Sequence, residues 1–189
     1  MPHRIALINL LENYKACDAL EHKTQLKFLA FVRANEDCFL RSNLSGHVTA
    51  SCWLLSPDHS QVLLTHHKKI GRWLQLGGHS DGDPEVLRVA LKEAEEESGI
   101  SHIKALSPDI FDLDIHLIAE HKGTPAHYHY DIRFALEASS LDFCVSDESH
   151  ALAWQYTNNL LSGSITNDSL ARMAQKWHAQ KKLKKYIST

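Results

Sequence analysis

Residues 77–100 read "GGHSDGDPEVLRVALKEAEEESGI", and this stretch constrains the chain more than any other. Two glycines precede a polar loop; apolar residues then recur at Leu87, Ala90, Leu91 and Ala94, and Gly99 follows. That spacing predicts a helix over 84–98 with Leu87, Leu91 and Ala94 facing the core. Asp83 suits the N-cap and Pro84 the first helical position, where a missing N–H costs nothing. Gly99 suits the C-terminal stop. The difficulty is Glu93, Glu95, Glu96 and Glu97, crowded into about one turn. Like charges three or four residues apart cost a helix about 0.2–0.5 kcal/mol per pair. A bare acidic run is commonly a solvated face. Glu93, Glu96 and Glu97, however, project from neighbouring positions on one side, and clustered carboxylate oxygens are what Mg2+ or Mn2+ takes. A bound divalent cation would offset the repulsion.

The rest of the chain frames that helix. With 189 residues, 43% hydrophobic and 23% charged, there is material for one domain with a real core and an extension. Residues 4–40 repeat apolar side chains at helical spacing with no proline, which predicts a helical extension over 1–44. Beyond it, "HVTASCWLL" and "QVLLTHH", separated by the turn residues of "SPDHS", predict a hairpin over 47–66. A short strand, "LQL", enters Gly77. "FDLDIHLIAE" at 111–120 alternates Phe111, Leu113, Ile115 and Leu117 against Asp112, Asp114 and His116. A short turn joins it to "HYHYDIRFALE" at 127–137, predicting a second hairpin. "ALAWQY" is a last strand candidate. "TNDSLARMAQKWHAQKK" is a C-terminal helix with Thr166, Asn167 or Asp168 as cap. Strands on both sides of a central helix indicate an α/β layered fold, with the main domain over 45–180 and a basic tail over 181–189.

Net charge is −3, which gives no general drive towards nucleic-acid polymers or anionic membranes. No run approaches the roughly 18 apolar residues a membrane span needs, and the first residues lack a signal-peptide pattern, so a cytoplasmic location is the expectation. Cys17, Cys38, Cys52 and Cys144 are widely spaced without a CxxC pair, which fits reduced buried thiols better than disulfides or a zinc knuckle. No Ser-His-Asp order and no P-loop is recognisable, and nothing bears on oligomeric state.

The 78–100 segment resembles the Nudix box: Gly, five residues, Glu, seven residues, Arg-Glu, an aliphatic, any residue, Glu-Glu, any residue, Gly, an aliphatic. Gly78, Glu93, Ala94, Glu96, Glu97, Gly99 and Ile100 stand at their places; Pro84 replaces the first Glu and Lys92 the Arg. The resemblance implies a Nudix α/β/α sandwich with a mixed β-sheet, preceded by the N-terminal helical extension. It further implies a hydrolase of a phosphoanhydride, such as a nucleoside diphosphate linked to another moiety, acting on a small-molecule diphosphate or nucleotide. Glu93, Glu96 and Glu97 would hold Mg2+ or Mn2+, and a metal-activated water would attack phosphorus. Asp83 or Glu85 could replace the acid missing at Pro84. Lys92 would orient a Glu partner less rigidly than an arginine fork. Asp147 or Glu148 could supply the further acid such enzymes draw from a late loop.

The 14 histidines are the remaining anomaly. His127 and His129, two apart in a strand, point to one face and can share a metal. "GHVTASCW" and "GGHSDGD" are similar, more faintly, to metal-ligand stretches of isopentenyl-diphosphate isomerases, which maps ligands onto His47 and His79. The catalytic cysteine of those isomerases would fall at Gly77, which cannot do that chemistry. His47, His79, His127 and His129 are therefore candidates for a second metal site or a phosphate-facing polar cluster. Arg72, beside Lys68 and Lys69, and Arg133 are candidates for meeting substrate phosphates. A nucleotide-binding sensor without catalysis is the remaining class, though it would have no need of the acidic trio.

Overall fold

The computed structural model describes residues 2–68, 71–121, 123–146, 149–162 and 167–187, so Lys69, Asp147, Glu148 and Thr166 lie outside the described residues. The expected helical stretch over 4–40 is two helices, α1 (Pro2–Asn13) and α2 (Ala19–Ala34), followed by turns. Asp18 breaks the run because its side chain accepts the Glu21 N–H at 2.8 Å and caps α2. At the other end of α2, the buried Arg4 donates to the carbonyls of Val32, Arg33 and Asn35, satisfying acceptors the helix end leaves open.

The strands are β1 (Gly46–Leu55), β2 (Gln61–His67), β3 (Trp73–Leu74) and β4 (Leu76–His79), then β5 (Lys104–Ala105), β6 (Asp112–Ile118), β7 (His127–Glu137) and β8 (Ser149–Tyr156). Between β4 and β5 lies α3 (Val86–Ser98), and α4 (Asp168–Ile187) follows a 3-10 turn at Thr157–Leu160. The axis of the mixed sheet is a parallel pair, β1 with β7, in register from Gly46↔Tyr128 to Leu55↔Glu137. All other pairings are antiparallel: β4 and β2 share the outer edge of β1, β6 and β5 that of β7, and β8 and β3 both pair with β2. The 47–66 hairpin is thus present but paired only at its tip, Leu55↔Val62, since β1 gives most of its length to β7 and β4.

β1 is buried along its whole length because both faces are covered. Val48, Ala50, Cys52 and Leu54 join a core built with Leu7, Leu11, Phe28, Val32, Val86 and Ala90 from α1, α2 and α3. Trp53 and Leu55, one residue out of phase, meet Leu170, Met173, Ala174 and Trp177 of α4. That is the α/β/α arrangement, with the extension as part of one outer layer.

Three details differ from expectation. α3 begins at Val86, not Pro84: Asp83 accepts the Glu85 N–H at 2.9 Å and pairs with Arg88, so it closes a turn before the helix rather than capping it. α4 has one of its expected caps, Asn167, whose side-chain oxygen accepts the Leu170 N–H at 2.9 Å, but it runs to Ile187, so 181–187 is helix rather than a separate tail. All four cysteines are free, but only Cys38 and Cys52 are buried; Cys17 and Cys144 are exposed. No helix among the described residues is long and apolar enough to cross a membrane.

Candidate functional site

The acidic run on α3 does not present one face. Its buried side is Val86, Val89, Ala90, Ala94, Glu97 and Ser98, with Leu87 and Leu91 only half-buried. Glu93, Glu96 and Glu97 span about 100° of helix surface with Glu93 in the middle. Glu97 turns inward and is 9% exposed, its Oε1 accepting the Gly77 N–H at 3.1 Å. Glu96 turns outward and pairs with Lys92 at 3.4 Å, a solvent-exposed contact of little energetic weight. Glu95 is exposed as well. The repulsion that the sequence implied is reduced by this division between core and solvent.

Glu93 is half-buried against Gly78. A Cβ at Gly78 would sit 2.4 Å from the Glu93 Cδ and Oε2, whereas one at Gly77 would sit 2.5 Å from the Ser51 Cα on the paired strand β1. These contacts predict different outcomes. Gly78→Ala should push the flexible Glu93 carboxylate aside and leave the melting temperature close to wild type. Gly77→Ala must displace backbone and should unfold several degrees lower. Thermal unfolding of the two variants checks this, and equal melting temperatures would contradict it. Gly99 ends α3 in the left-handed conformation, φ 68°, its N–H donating to the Glu95 carbonyl.

Beside this site runs a polar face of the sheet. The β7 residues His127, His129, Asp131 and Arg133 point to one side, and the register places Asp112, Asp114 and His116 of β6 and His47, Thr49 and Ser51 of β1 alongside them. Asp131 accepts from Thr49, Ser51, Gln75 and Arg133. Arg133, expected to meet phosphates, is 2% exposed, and its fork is occupied by Asp131, Asp112 and Asp114 at 2.8–3.0 Å. Burial opposes its charge, but the three carboxylates more than offset that, so it is held protonated and serves as an internal tie. The tie extends through Asp112 to Arg172 and Lys176 of α4, and through Lys176 to Glu21 and Tyr14 of the extension. Sequence reasoning missed this network; the alternating Asp112 and Asp114 were its only signal. Cys52 is the free, buried thiol that its spacing led one to expect, and burial, then the charges of Glu97, Asp131 and Glu93, hold it well above the ordinary range.

The candidate histidines do come together. His47 lies with its ring centroid 4.9 Å from those of His127 and His129 and 5.1 Å from that of His79; His79 and His129 are 4.9 Å apart. One ligand nitrogen each from His47, His127 and His129 lies within 4.8 Å of the others, and among the described residues this is the one such group of three; the glutamates of α3 do not form another. Burial, followed for His79 by the Arg41 charge and for His129 by that of His79, lowers His79 to about 4 and His129 to about 2. Burial lowers His47 as well. His116 flanks the group, 5.5 Å from His129. Arg72 is exposed in the turn before β3, and Lys68 is exposed at the end of β2. A cleft of about 870 Å³ between α1 and α4 contains none of the candidates.

No family model matches the sequence, and no curated protein matches it. Among solved structures, the chain is similar to a Nudix-family hydrolase from Clostridium perfringens, at 23% identity and TM-score 0.52, over 71% of this chain and 97% of that one. It is similar to the MutT protein of Methanosarcina mazei Go1, at 15% identity and TM-score 0.56, over 72% and 96%. A C. elegans Ap4A hydrolase, seen as a binary complex, matches at 17% identity and TM-score 0.52, over 70% and 95%. At these identities the likeness concerns the fold: the chain has the Nudix fold.

Proposed function

We propose that this chain, built on the Nudix fold, is a divalent-metal-dependent hydrolase of a phosphoanhydride in a small molecule, such as a nucleoside diphosphate linked to another moiety. One observation carries the reading: Glu97 and Glu93 are set at adjacent points against Gly77-Gly78, one by a peptide N–H and the other by the missing side chain of glycine. Fixed carboxylates beside a glycine-rich strand end suit Mg2+ or Mn2+, which takes few protein oxygens and completes its shell with water and phosphate. Bound there, such a cation neutralises charge on phosphoryl oxygens and acidifies a water.

The protein's own contribution is placement. The Gly77 N–H orients Glu97, the glycine backbone leaves room for Glu93, and Lys92 lies beside Glu96 at the exposed edge. Burial on the inward face of α3 keeps Glu97 from rotating into solvent, which pre-organises the site. Against an isoprenoid-diphosphate isomerase stands the strand contact at Gly77: no side chain, cysteine included, fits 2.5 Å from Ser51 Cα.

The test is a panel of nucleoside triphosphates, nucleotide sugars, ADP-ribose, dinucleoside polyphosphates and prenyl diphosphates, each with Mg2+, with Mn2+ and with EDTA. Hydrolysis of at least one nucleotide class with metal and none with EDTA is expected. Tight nucleotide binding without turnover would replace this reading with the sensor, and turnover in EDTA would remove the metal from it.

A further inference from the structure

We infer that His47, His127 and His129, with His79 as a fourth ligand, form a second metal site that takes a divalent transition ion of the zinc class, separate from the carboxylates of α3. Three ligand nitrogens at zinc distances of 2.0–2.1 Å in tetrahedral array stand about 3.4 Å apart. Those of His47, His127 and His129 already lie within 4.8 Å of one another without an ion, so side-chain rotations of the order of an ångström would close the site.

The ligand atoms are also available. His47 is 3% exposed, and neither of its ring nitrogens makes a hydrogen bond of acceptable geometry; the Asn43 carbonyl is near enough only to favour its protonated form. His129 Nε2 is likewise buried without a partner. Leaving such buried atoms unsatisfied is unfavourable, and although neutral imidazoles can hydrogen-bond one another, both ring nitrogens of His47 and the Nε2 of His129 make no such bond with the rings around them. His127 is oriented for ligation: its Nδ1 lies 2.8 Å from the Pro125 carbonyl, which can only accept, so Nδ1 carries the proton and Nε2 the lone pair.

The donor set selects the ion. Imidazole nitrogens suit Zn2+, Co2+, Ni2+ or Cu2+, whereas Mg2+ and Mn2+ prefer oxygen. The nearby carboxylate, Asp81, is engaged by Arg41. An anion is disfavoured, because it needs N–H donors and His127 has spent its own on the Pro125 carbonyl. The placement has a consequence for the other site. The four rings come from β1, β4 and β7, and His79 directly follows Gly78, so an ion there would fasten the strand end against which Glu93 is set.

The experiment uses protein without a polyhistidine tag, stripped by chelator and dialysed. Titration with Zn2+, and with Co2+ followed by its visible absorption, should give one ion per chain with a tetrahedral nitrogen-ligand spectrum. Zn2+ at a hundredfold excess over Kd should raise the melting temperature by roughly 5–10 °C. His129→Asn and His47→Asn should each weaken Zn2+ binding about 100-fold or more, and half-buried His79→Asn at least tenfold. The Glu93→Gln/Glu97→Gln double variant should keep Zn2+ affinity within about threefold while losing hydrolysis, so failure here and failure of the hydrolase reading are separable. Circular dichroism without metal shows which variants fold, and His79→Asn remains informative if His47→Asn does not. Wild-type Zn2+ affinity no better than that of His129→Asn, loss of Zn2+ in the glutamate variant, or stabilisation by inorganic phosphate in place of Zn2+ would each overturn the inference.

Discussion

Glu97→Gln is expected to lower kcat on the best substrate by roughly 100- to 1,000-fold, the range seen when one preorganised electrostatic group is lost from an active site. The substitution is nearly isosteric, and its amide oxygen can still accept the Gly77 N–H, so the helix and the glycine strand should keep their places. What disappears is the charge of the most buried of the three carboxylates Glu93, Glu96 and Glu97. KM should change much less than kcat, because Glu97 lies on the inward face of α3 and is placed to meet a cation rather than the organic part of a substrate. Two comparisons sharpen the result. Glu96→Gln removes an exposed carboxylate already paired with Lys92 and should cost clearly less. Glu95→Gln, exposed on the far side, should stay within about twofold of wild type. Steady-state rates of the three variants on one substrate decide the matter; a Glu97→Gln enzyme within threefold of wild type would remove the carboxylates from the mechanism.

Arg133→Met carries the largest expected effect on stability, a loss of about 3–5 kcal/mol. The guanidinium is 2% exposed and answers Asp131, Asp112 and Asp114; methionine fills much of its volume but leaves those carboxylates together without the cation between them. Breaking a buried ion network by removing one member is costly because the partners stay buried, even where replacing the whole network by apolar residues would not be. Arg172, about one-third exposed, meets two of the same carboxylates from the rim, so Arg172→Met should cost less than half as much. Urea unfolding monitored by tryptophan fluorescence gives both values. A loss below about 1 kcal/mol for Arg133→Met would mean that the network contributes nothing net, and would reopen the surface role for this residue that its burial argues against.

The layered fold was legible because its signals are local. Helical spacing marked α1, α2, α3 and α4, period-two alternation marked β6, and glycine, proline and aspartate marked the breaks between them. The boundaries moved where a short polar side chain competed for the backbone: Asp83 made a turn and delayed α3, and Asp18 started a second helix inside what read as one. The short strand β5 was missed because two residues carry no periodicity. Arg133 was misplaced because a cation on an alternating strand reads the same whether its face meets water or three carboxylates from neighbouring strands.

Residue identity and spacing by themselves determined that Glu93, Glu96 and Glu97 would sit on one helix behind a double glycine, and that His127 and His129 would share a face. Helix and strand periods are properties of the chain alone, so those relations needed no fold. Which glutamate turns inward, and whether His47 and His79 join the other two, were decided by tertiary structure. The buried stripe of α3 is set by what the sheet offers it, and here it takes in Glu97 because the Gly77 N–H waits there as a donor. The histidines meet because β1 and β7 pair in parallel with His47 opposite His129, while β4 returns antiparallel with His79 opposite Thr49. Those pairings join residues as much as 82 positions apart, and no local pattern specifies register across such a distance.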